Sequence, residues 1–408
     1  RLFGSHRSRF QGRAPTSYAA GPTNRDSSFD IWARTRLGLE TRIAPWANGL
    51  IEIQDVRRFG EDANGGANNL DGLDLLQGYF YSEFDYFGFD TTMRVGRQRF
   101  TIGNQRLFST LEFHPAGRAW DGITFDAENE DLRVRKLWLM LDDGARAAED
   151  NHLLGFTIQT WLQNDKSIDL EAALLYEIEG GTAADRSVLS ASIRSNGKVD
   201  AFDYSAELIG QFGDQENGTP DDDDVSAHAF ALTAGYTFNL NENGKFRLGL
   251  EYAHASGDSD ATDDKVETFR SPFPFGHKFH GIADVVGWRN LSDFALHAAF
   301  DFKSNGWYES LKIGLQFHHF QRVEDEDGVY NPGNGLVRAG TAADSDSIGS
   351  EFDIQVNLKI NDWFTVEAAW GHFMAGDFFS DTQALPTSDG SYEDGDTDFF
   401  WLAATLSF

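Results

Sequence analysis

The stretch FDIQVNLKI at residues 352–360 alternates between apolar and polar side chains at every position. Successive side chains of a β-strand point to opposite sides, so this stretch has one apolar wall and one polar wall. The segments 29–40, 246–255, 311–318 and 364–370 repeat the pattern. The sequence therefore predicts an all-β protein with almost no helix.

The alternation predicts 18 strands, with boundaries correct to within about two to four residues. The predicted ranges are 4–12, 28–40, 46–58, 72–84, 88–98, 119–127, 131–141, 152–162, 168–178, 186–195, 199–211, 225–239, 245–256, 290–302, 306–322, 346–360, 363–374 and 396–408. The seventh strand is irregular, because one of its faces changes along the strand from charged to apolar. That face carries Arg133 and Arg135, followed by Leu137, Leu139 and Leu141. A β-bulge in this strand would explain the change from polar to apolar side chains.

The connections between these strands alternate in length. Those after even-numbered strands are short turns, whereas most of those after odd-numbered strands are longer and hold nearly all of the acidic clusters. A transmembrane barrel with short periplasmic turns and long extracellular loops has this alternation, and a soluble β-sandwich has no reason to keep it. We therefore expect one transmembrane antiparallel β-barrel, with residues 1–408 as a single domain. The large acidic outer loops are expected at 257–289, 323–345 and 375–395.

The composition fits a barrel and excludes several other classes of protein. The 408 residues contain no apolar run of 18 residues, which excludes membrane-spanning helices. Aromatic residues make up 14% of the chain, which suits a lipid-facing wall with aromatic girdles. Cysteine is absent, so no disulfide framework can form. The net charge of -31 argues against a nucleic acid as partner.

The last strand carries a further signal. Phe400, Leu402, Ala404, Leu406 and Phe408 alternate up to the end of the sequence, and a terminal phenylalanine on such a strand is typical of outer-membrane barrels. We therefore expect a multi-pass protein in the outer membrane of a Gram-negative-type bacterium, in contact with the lipid bilayer and lipopolysaccharide. Barrels of about 16 to 18 strands leave an aqueous channel, so the predicted function is the passage of solutes.

The predicted lumen is rich in arginine. The loop 99–118 is the candidate for a constriction that folds into the pore, and it follows a strand that also ends in arginines. Guanidinium groups bind carboxylates in a bidentate manner, and an arginine-lined constriction favours anions. The candidate pore-lining and substrate-binding residues are Arg34, Arg36, Arg94, Arg97, Arg99, Arg106, Arg118, Arg133, Arg135, Arg194, Arg247 and Arg322. The alternative is that these charges pair across strands and only solvate the lumen.

Several stretches resemble the alginate-export porins of the outer membrane. They are GRQR at 96–99 with the Arg118 segment behind it, RSPFPFGHKFHGIADVVGWRNLSDFALHAAF at 270–300, HHFQRVEDED at 318–327, SIGSEFDI at 347–354 and GHFMAGDFF at 371–379. The resemblance implies an 18-stranded monomeric barrel with an electropositive lumen and an arginine-lined constriction, which exports a polyuronate such as alginate. Carried over to the matching positions, it implies these candidate substrate contacts: Arg94, Arg97, Arg99, Arg118 and Arg322.

Other functions stay open on the sequence alone. A general or substrate-specific diffusion porin for the uptake of small anionic solutes shares every feature of the barrel, whereas an exporter needs a periplasmic partner. We expect no enzyme, because no histidine has a nucleophile at a suggestive spacing and no hydrolase motif is present. The histidines considered are His152, His254, His318, His319 and His372.

The acidic loops offer oxygen ligands at close spacing, which is the chemistry that Ca²⁺ prefers. The candidates are Asp258, Asp260, Asp325 and Asp327. None of them completes an EF-hand type of loop, and a solvated acidic rim is the alternative. We expect no other cofactor.

Overall fold

The computed structural model describes residues 1–14, 27–60, 72–141, 151–163, 166–180, 185–216, 222–260, 262–382 and 395–408. Within these residues, 18 strands form a closed antiparallel barrel, numbered β1–β18 in chain order. They are β1 (Leu2–Ala14), β2 (Ser28–Ala44), β3 (Ala47–Gly60), β4 (Gly72–Tyr86), β5 (Phe89–Gln98), β6 (Trp120–Glu128), β7 (Leu132–Met140), β8 (His152–Trp161), β9 (Ile168–Glu179), β10 (Arg186–Val199), β11 (Phe202–Gln215), β12 (Asp223–Asn241), β13 (Gly244–Ala255), β14 (Leu291–Lys303), β15 (Ser310–Gln321), β16 (Ser347–Asn361), β17 (Phe364–Ala375) and β18 (Thr397–Ser407).

Each strand pairs antiparallel with its neighbours in the chain, and β1 closes the barrel on β18, where Phe10 lies opposite Leu402. Every predicted strand is present, including the first, and its ends lie within a few residues of the predicted ones. Short turns join the strands at one end of the barrel, the turn end, and the longer connections lie at the other, the loop end. The predicted fold is confirmed.

The longer connections add a few short elements. Lys265–Val266 extends the sheet beside β12, and Val329–Tyr330 pairs with Leu336–Arg338. A 3₁₀ turn covers Gly276–Lys278, and α1 covers Asp377–Asp381. In the part of the chain that the structure describes, no helix is long and apolar enough to cross a membrane.

The alternation of side chains separates an outer wall from a lumen. On β13, Leu248 and Leu250 point outward and are about half exposed, whereas Glu251 and Ala253 point into the barrel and are buried. The outward side chains form an apolar surface for lipid. The inward ones are buried because segments of the chain itself fill the lumen.

Strand β7 has no bulge, so the prediction of one is wrong. Its pairing with β6 and β8 runs without a register shift, and Leu137 and Leu139 point inward like Arg133 and Arg135. These leucines are buried against a loop inside the barrel, which explains apolar residues on an inward face. A bulge lies instead in β4, where Leu76 is the extra residue between two paired positions of β3.

Two loops enter the barrel and build a hydrophobic core there. The first inward loop is residues 99–119 and contributes Phe108, and the second inward loop is residues 267–290 and contributes Phe269 and Ile282. We expected 257–289 to be an outer loop, and most of its second half lies in the lumen instead. The cause is its run of apolar side chains, which are buried only when they pack against the first inward loop and the barrel wall. Of the expected outer loop 375–395, residues 383–394 lie outside the described residues.

Candidate functional site

The first inward loop crosses the lumen from one wall to the other. Close to β5, the backbone oxygen of Thr101 accepts a hydrogen bond of 3.1 Å from Arg135 on β7. Farther along the loop, Arg106 forms a buried ion pair with Glu251 on β13. The loop then reaches β1 and β2 through residues 112–113. Because β1, β7 and β13 are six strands apart around the 18-stranded ring, these contacts fix the loop to three sides of the barrel.

Glycine is required where the first inward loop meets the wall near β10. Gly103 has a φ of +55°, and a Cβ atom there would lie 3.2 Å from Nε of Arg194. Any other residue would combine a strained backbone with a tight contact. The position keeps the loop close to the carboxylate and guanidinium groups of β9 and β10.

Five arginines surround the far end of the first inward loop. This arginine cluster consists of Arg7, Arg9, Arg34, Arg36 and Arg99. Arg34 and Arg36 contact Oε1 of Glu112 at 2.7 and 2.8 Å, and Arg99 contacts the other carboxylate oxygen. Arg7 and Arg9 donate to the backbone oxygen of Phe113 at 3.0 and 2.6 Å.

The cluster contains far more positive than negative charge. Burial alone would raise the pKa of Glu112, but Arg34, Arg36 and Arg99 outweigh it and lower the pKa to about 2. Glu112 is therefore ionised at neutral pH, and it neutralises one of the five guanidinium groups at most. The surplus makes this part of the lumen attractive to anions.

The second inward loop is held by contacts on both sides of the lumen. Arg270 reaches Glu177 and Glu179 on β9 at 3.3 and 3.1 Å. On the opposite wall, the backbone N–H of Ala283 donates to Glu351 on β16 at 2.7 Å. Gly281, with a φ of +78°, leaves room for that carboxylate. Acidic and basic residues thus fix the loop to the wall. The apolar periodicity of the sequence does not predict these contacts.

Two of the cavities among the described residues bear on the passage of solutes. The cavity at the turn end has a volume of about 630 Å³ and a lining of both signs of charge, including Arg94, Asp126 and Arg133. The cavity at the loop end has a volume of about 590 Å³ and lies between the two inward loops and β1, β2 and β18. Arg9 of the arginine cluster also lines the cavity at the loop end, so the cluster borders that cavity.

Most of the predicted arginines point inward, and several of them are paired. Arg34, Arg36 and Arg99 belong to the cluster, Arg94 lines the turn-end cavity, and Arg118 lines the loop-end cavity. The pairs within the wall are Arg133 with Asp126, Arg135 and Arg194 with Glu171, and Arg247 with Asp203. These four arginines therefore pair with carboxylates in the barrel wall, as the alternative interpretation expected, and they do not form a row of free contacts for a solute.

Three predicted pore residues lie elsewhere, and these assignments are corrected. Arg97 shares the outward face of Met93 and Val95, where it pairs with Asp121 at 3.0 Å. Arg106 is buried in the core with its carboxylate partner, so it presents no free guanidinium surface to the pore. Arg322 is also buried.

The guanidinium of Arg322 serves the outer loop. It donates to the backbone oxygens of Asp325, Asp327, Asp344 and Ser345. These bonds tie the two ends of the loop 323–345 together. The motif around Arg322 thus reflects loop structure in this chain and not contact with a solute.

Arg7 and Arg9 are the functional residues that the sequence analysis missed. The first strand was its least regular part, so its arginines were not assigned to the lumen. The signal was present in the segment HRSRFQGR, where arginine recurs at residues 7, 9 and 13 and so on one face of a strand.

The histidines considered in the sequence are spread over several strands of the barrel. His318 and His319 point to opposite faces as expected, with His318 buried against Asp293 and His319 bonded to Ser350 on the outer wall. His254 stacks on His228 with ring centres 5.5 Å apart.

Three of the four candidate calcium ligands, Asp258, Asp260 and Asp327, already accept hydrogen bonds from protein donors. Asp327 accepts hydrogen bonds from Tyr330, Thr268 and two backbone N–H groups. Asp258 and Asp260 accept from backbone N–H groups two residues further on. Among the described residues, no three acidic or histidine side chains are grouped so that they could hold a metal ion. Calcium in the outer loops stays a prediction.

Comparison with known proteins agrees with this architecture. The model of a family described as Alginate export matches residues 3–388. The structure superposes on OccAB1 of Acinetobacter baumannii with a TM-score of 0.58 and 11% identity, over 100% of this chain and 96% of that one. For OprD of Pseudomonas aeruginosa the values are 0.58 and 12%, over 100% and 93%. For OccK2 (OpdF) of Pseudomonas aeruginosa, solved in complex with glucuronate, they are 0.52 and 11%, over 100% and 98%. No curated protein matches the sequence.

A closed 18-stranded barrel with an apolar outer wall and loops folded into its lumen is an outer-membrane channel of the porin type. The chain belongs to the alginate export family. It resides in the outer membrane of a Gram-negative bacterium, with its short turns toward the periplasm and its long loops toward the outside.

Proposed function

We propose that this channel selects anionic solutes and that the arginine cluster is its filter. The observation that carries the proposal is the meeting of five arginines with the single carboxylate of Glu112, halfway along the lumen. Fixed positive charge in a narrow, partly dehydrated passage lowers the energy of an anion and raises that of a cation.

The proposed cargo is a uronate, and the family suggests an alginate-like anionic polysaccharide exported from the periplasm. Glucuronate bound to the structurally similar OccK2 belongs to the same chemical class. A uronate carboxylate fits the forked donors of a guanidinium, and spaced arginines suit repeated carboxylates along a chain. An export role also requires a periplasmic partner that delivers the polymer.

A diffusion porin for the uptake of small anions is the second candidate. The observation in its favour is the core built by the two inward loops, in which Phe108 and Phe269 are fully buried. A polymer would have to displace these loops, whereas a small acid needs only the cavities on either side of the cluster. Both candidates use the same filter and differ in the size of the solute.

Single-channel recording with glucuronate and with defined oligouronates separates the two candidates. Export of a polymer predicts that oligouronates added to the periplasmic side block the current at lower concentration than glucuronate does. Uptake of small acids predicts the opposite order. In both cases Arg34→Gln weakens the block, while the matched variant Arg97→Gln on the outer wall leaves it unchanged. Block that is equal in both variants would contradict the filter.

We further propose that the barrel works as a monomer surrounded by lipid and lipopolysaccharide. The ring of hydrogen-bonded strands closes on itself and so needs no strand from a second copy of the chain. Its apolar outer wall faces lipid. Sedimentation in detergent at several protein concentrations tests this point, and a stable trimer would contradict it.

A further inference from the structure

The cavity at the loop end, here named the outer cavity, has the features of a binding site. Its volume of about 590 Å³ falls within the range of small-molecule pockets, about 300–1,000 Å³. It lies on the outer side of the first inward loop, away from the Glu112 carboxylate. The lining side chains used below are Arg13, Trp32, Phe113, Arg118, His277 and Phe399.

Arg118 is a partly buried cation without a counter-ion among the described residues. Its Nη1 donates to the backbone oxygen of Pro274 at 3.0 Å, and its guanidinium lies 5.6 Å from the ring centre of Phe273. Burial lowers its pKa to about 10, and no carboxylate is close enough to offset that effect. Within the described ranges, Arg118 forms no salt bridge. A partly buried guanidinium in this state is stabilised by an anion that enters the cavity.

The remaining charges of the outer cavity favour the same ligand. Arg13 lies over the ring of Phe399 at 4.9 Å, and no carboxylate of the described chain pairs with it. Asp284 is the acidic side chain of the lining, and His277 is bonded to it at 2.9 Å. Burial, followed by nearby arginines, lowers the pKa of His114 to about 4, so this histidine is neutral at pH 7. Among the charged side chains of the lining, Arg9, Arg13 and Arg118 thus outnumber the carboxylate of Asp284.

The walls of the outer cavity favour a flat ring. Phe113 and His277 are stacked with ring centres 3.5 Å apart and an angle of 13° between their planes. Phe399 stands edge-on to His277, with centres 6.2 Å apart, and Trp32 lines the same space. Aromatic faces and edges pack against a planar ring or against the C–H face of a sugar ring.

We propose that the outer cavity binds a monocarboxylate with a single ring, with its carboxylate at Arg118 and Arg13 and its ring against the aromatic walls. This site adjoins the arginine cluster, with which it shares Arg9, and lies at the loop end of the barrel. The inference deepens the proposed function, on which it rests, because it assigns a first docking position to one acidic ring before the filter. Benzoate and glucuronate share this chemistry and differ in whether the ring is aromatic or a sugar.

The test is equilibrium binding of benzoate and of glucuronate to the purified barrel in detergent, followed by calorimetry. Benzamide, which has the ring without the charge, is the control ligand. We expect at least one of the acids to bind, benzamide to bind much more weakly, and Arg118→Gln to lower the affinity by about tenfold or more, as the loss of a charge-assisted contact does. Arg13→Gln is expected to lower the affinity as well.

A matched variant makes the result specific. Arg97→Gln removes an arginine from the outer wall and should keep the affinity of wild type. Absence of binding by both acids, equal binding of benzamide, or unchanged affinity in both Arg118→Gln and Arg13→Gln would overturn the proposal. The outer site is tested by the affinity of Arg118→Gln and Arg13→Gln, and the proposed anion filter is tested by the reversal potential of Arg34→Gln, so failure of one and failure of the other are distinguishable.

Discussion

Replacing Glu112 with glutamine should make the channel more selective for anions. Glu112 is the carboxylate shared by Arg34, Arg36 and Arg99, and it is ionised at neutral pH. Glutamine keeps an oxygen that accepts a hydrogen bond but removes the negative charge. The filter then presents all of its guanidinium charge to a passing ion.

The size of the effect follows from Coulomb's law. One unit charge about 4 Å from an ion in water-like surroundings contributes about 1 kcal/mol, and at room temperature this changes the local preference for one sign of ion by about fivefold. Screening by salt at about 0.1 M, where the Debye length is about 10 Å, reduces the expected gain in the anion-to-cation permeability ratio to about two- to fivefold.

The assay is the reversal potential in a planar bilayer under a KCl gradient. Asp121→Asn is the matched control, because Asp121 also pairs with an arginine and has the same side-chain exposure, 42%, as Glu112, but points outward. We expect a shift toward anions in Glu112→Gln and no shift in Asp121→Asn. Equal shifts in the two variants, or a shift toward cations in Glu112→Gln, would refute the reasoning.

Three further outcomes are expected. Arg106→Ala removes the arginine partner of the buried Glu251, which should destabilise the fold of the lumen by about 3–5 kcal/mol and lower the thermal midpoint in detergent; an unchanged midpoint would contradict the buried pair. Phe108→Ala removes a fully buried ring from the core and should lower the stability of the packed loop by about 3–5 kcal/mol. We expect noisier single-channel current, while circular dichroism still shows the barrel. Quiet current of unchanged size would count against a packed loop. The pKa of Glu112 is lowered in the folded state, so Glu112 stabilises the packing of the first inward loop above its ordinary pKa of 4.5. This stabilisation is lost as the pH falls toward about 2, where gating noise should appear. Gating noise that appears only at alkaline pH would contradict this assignment.

The barrel could be predicted from the sequence because its strands repeat one rule, the alternation of apolar and polar side chains. Alternation at residues 352–360 predicted β16, and the same rule predicted β1 before any contact was known. The order of short and long connections then fixed the antiparallel ring. These signals are local, so a single sequence contains them.

The interior was harder to predict, because a loop has no period. The apolar residues of the second inward loop, such as Ile282 and Trp288, could not be distinguished by pattern from those of an outer loop. The leucines of β7 suggested a bulge for the same reason: their packing partner, Phe108, lies on a different segment of the chain. Contacts between distant segments decide such cases, and alternation does not encode them.

The candidate site was predicted in part. Loop 99–118 does lie in the lumen, and Arg34, Arg36 and Arg99 do meet on it. Arg97 was misplaced although its phase with Met93 already assigns it to the outer wall. Glu112 was overlooked, because a single glutamate in a loop has no signal until its arginine partners are brought to it.

The central claim is that the arginine cluster makes this channel selective for anions, and the most direct test is the reversal potential of the wild-type barrel beside that of Arg34→Gln/Arg36→Gln. We predict that wild type passes chloride in preference to potassium and that the double variant loses most of this preference while its barrel stays folded. Cation selectivity in wild type, or anion selectivity that the double variant retains in full, would contradict the claim.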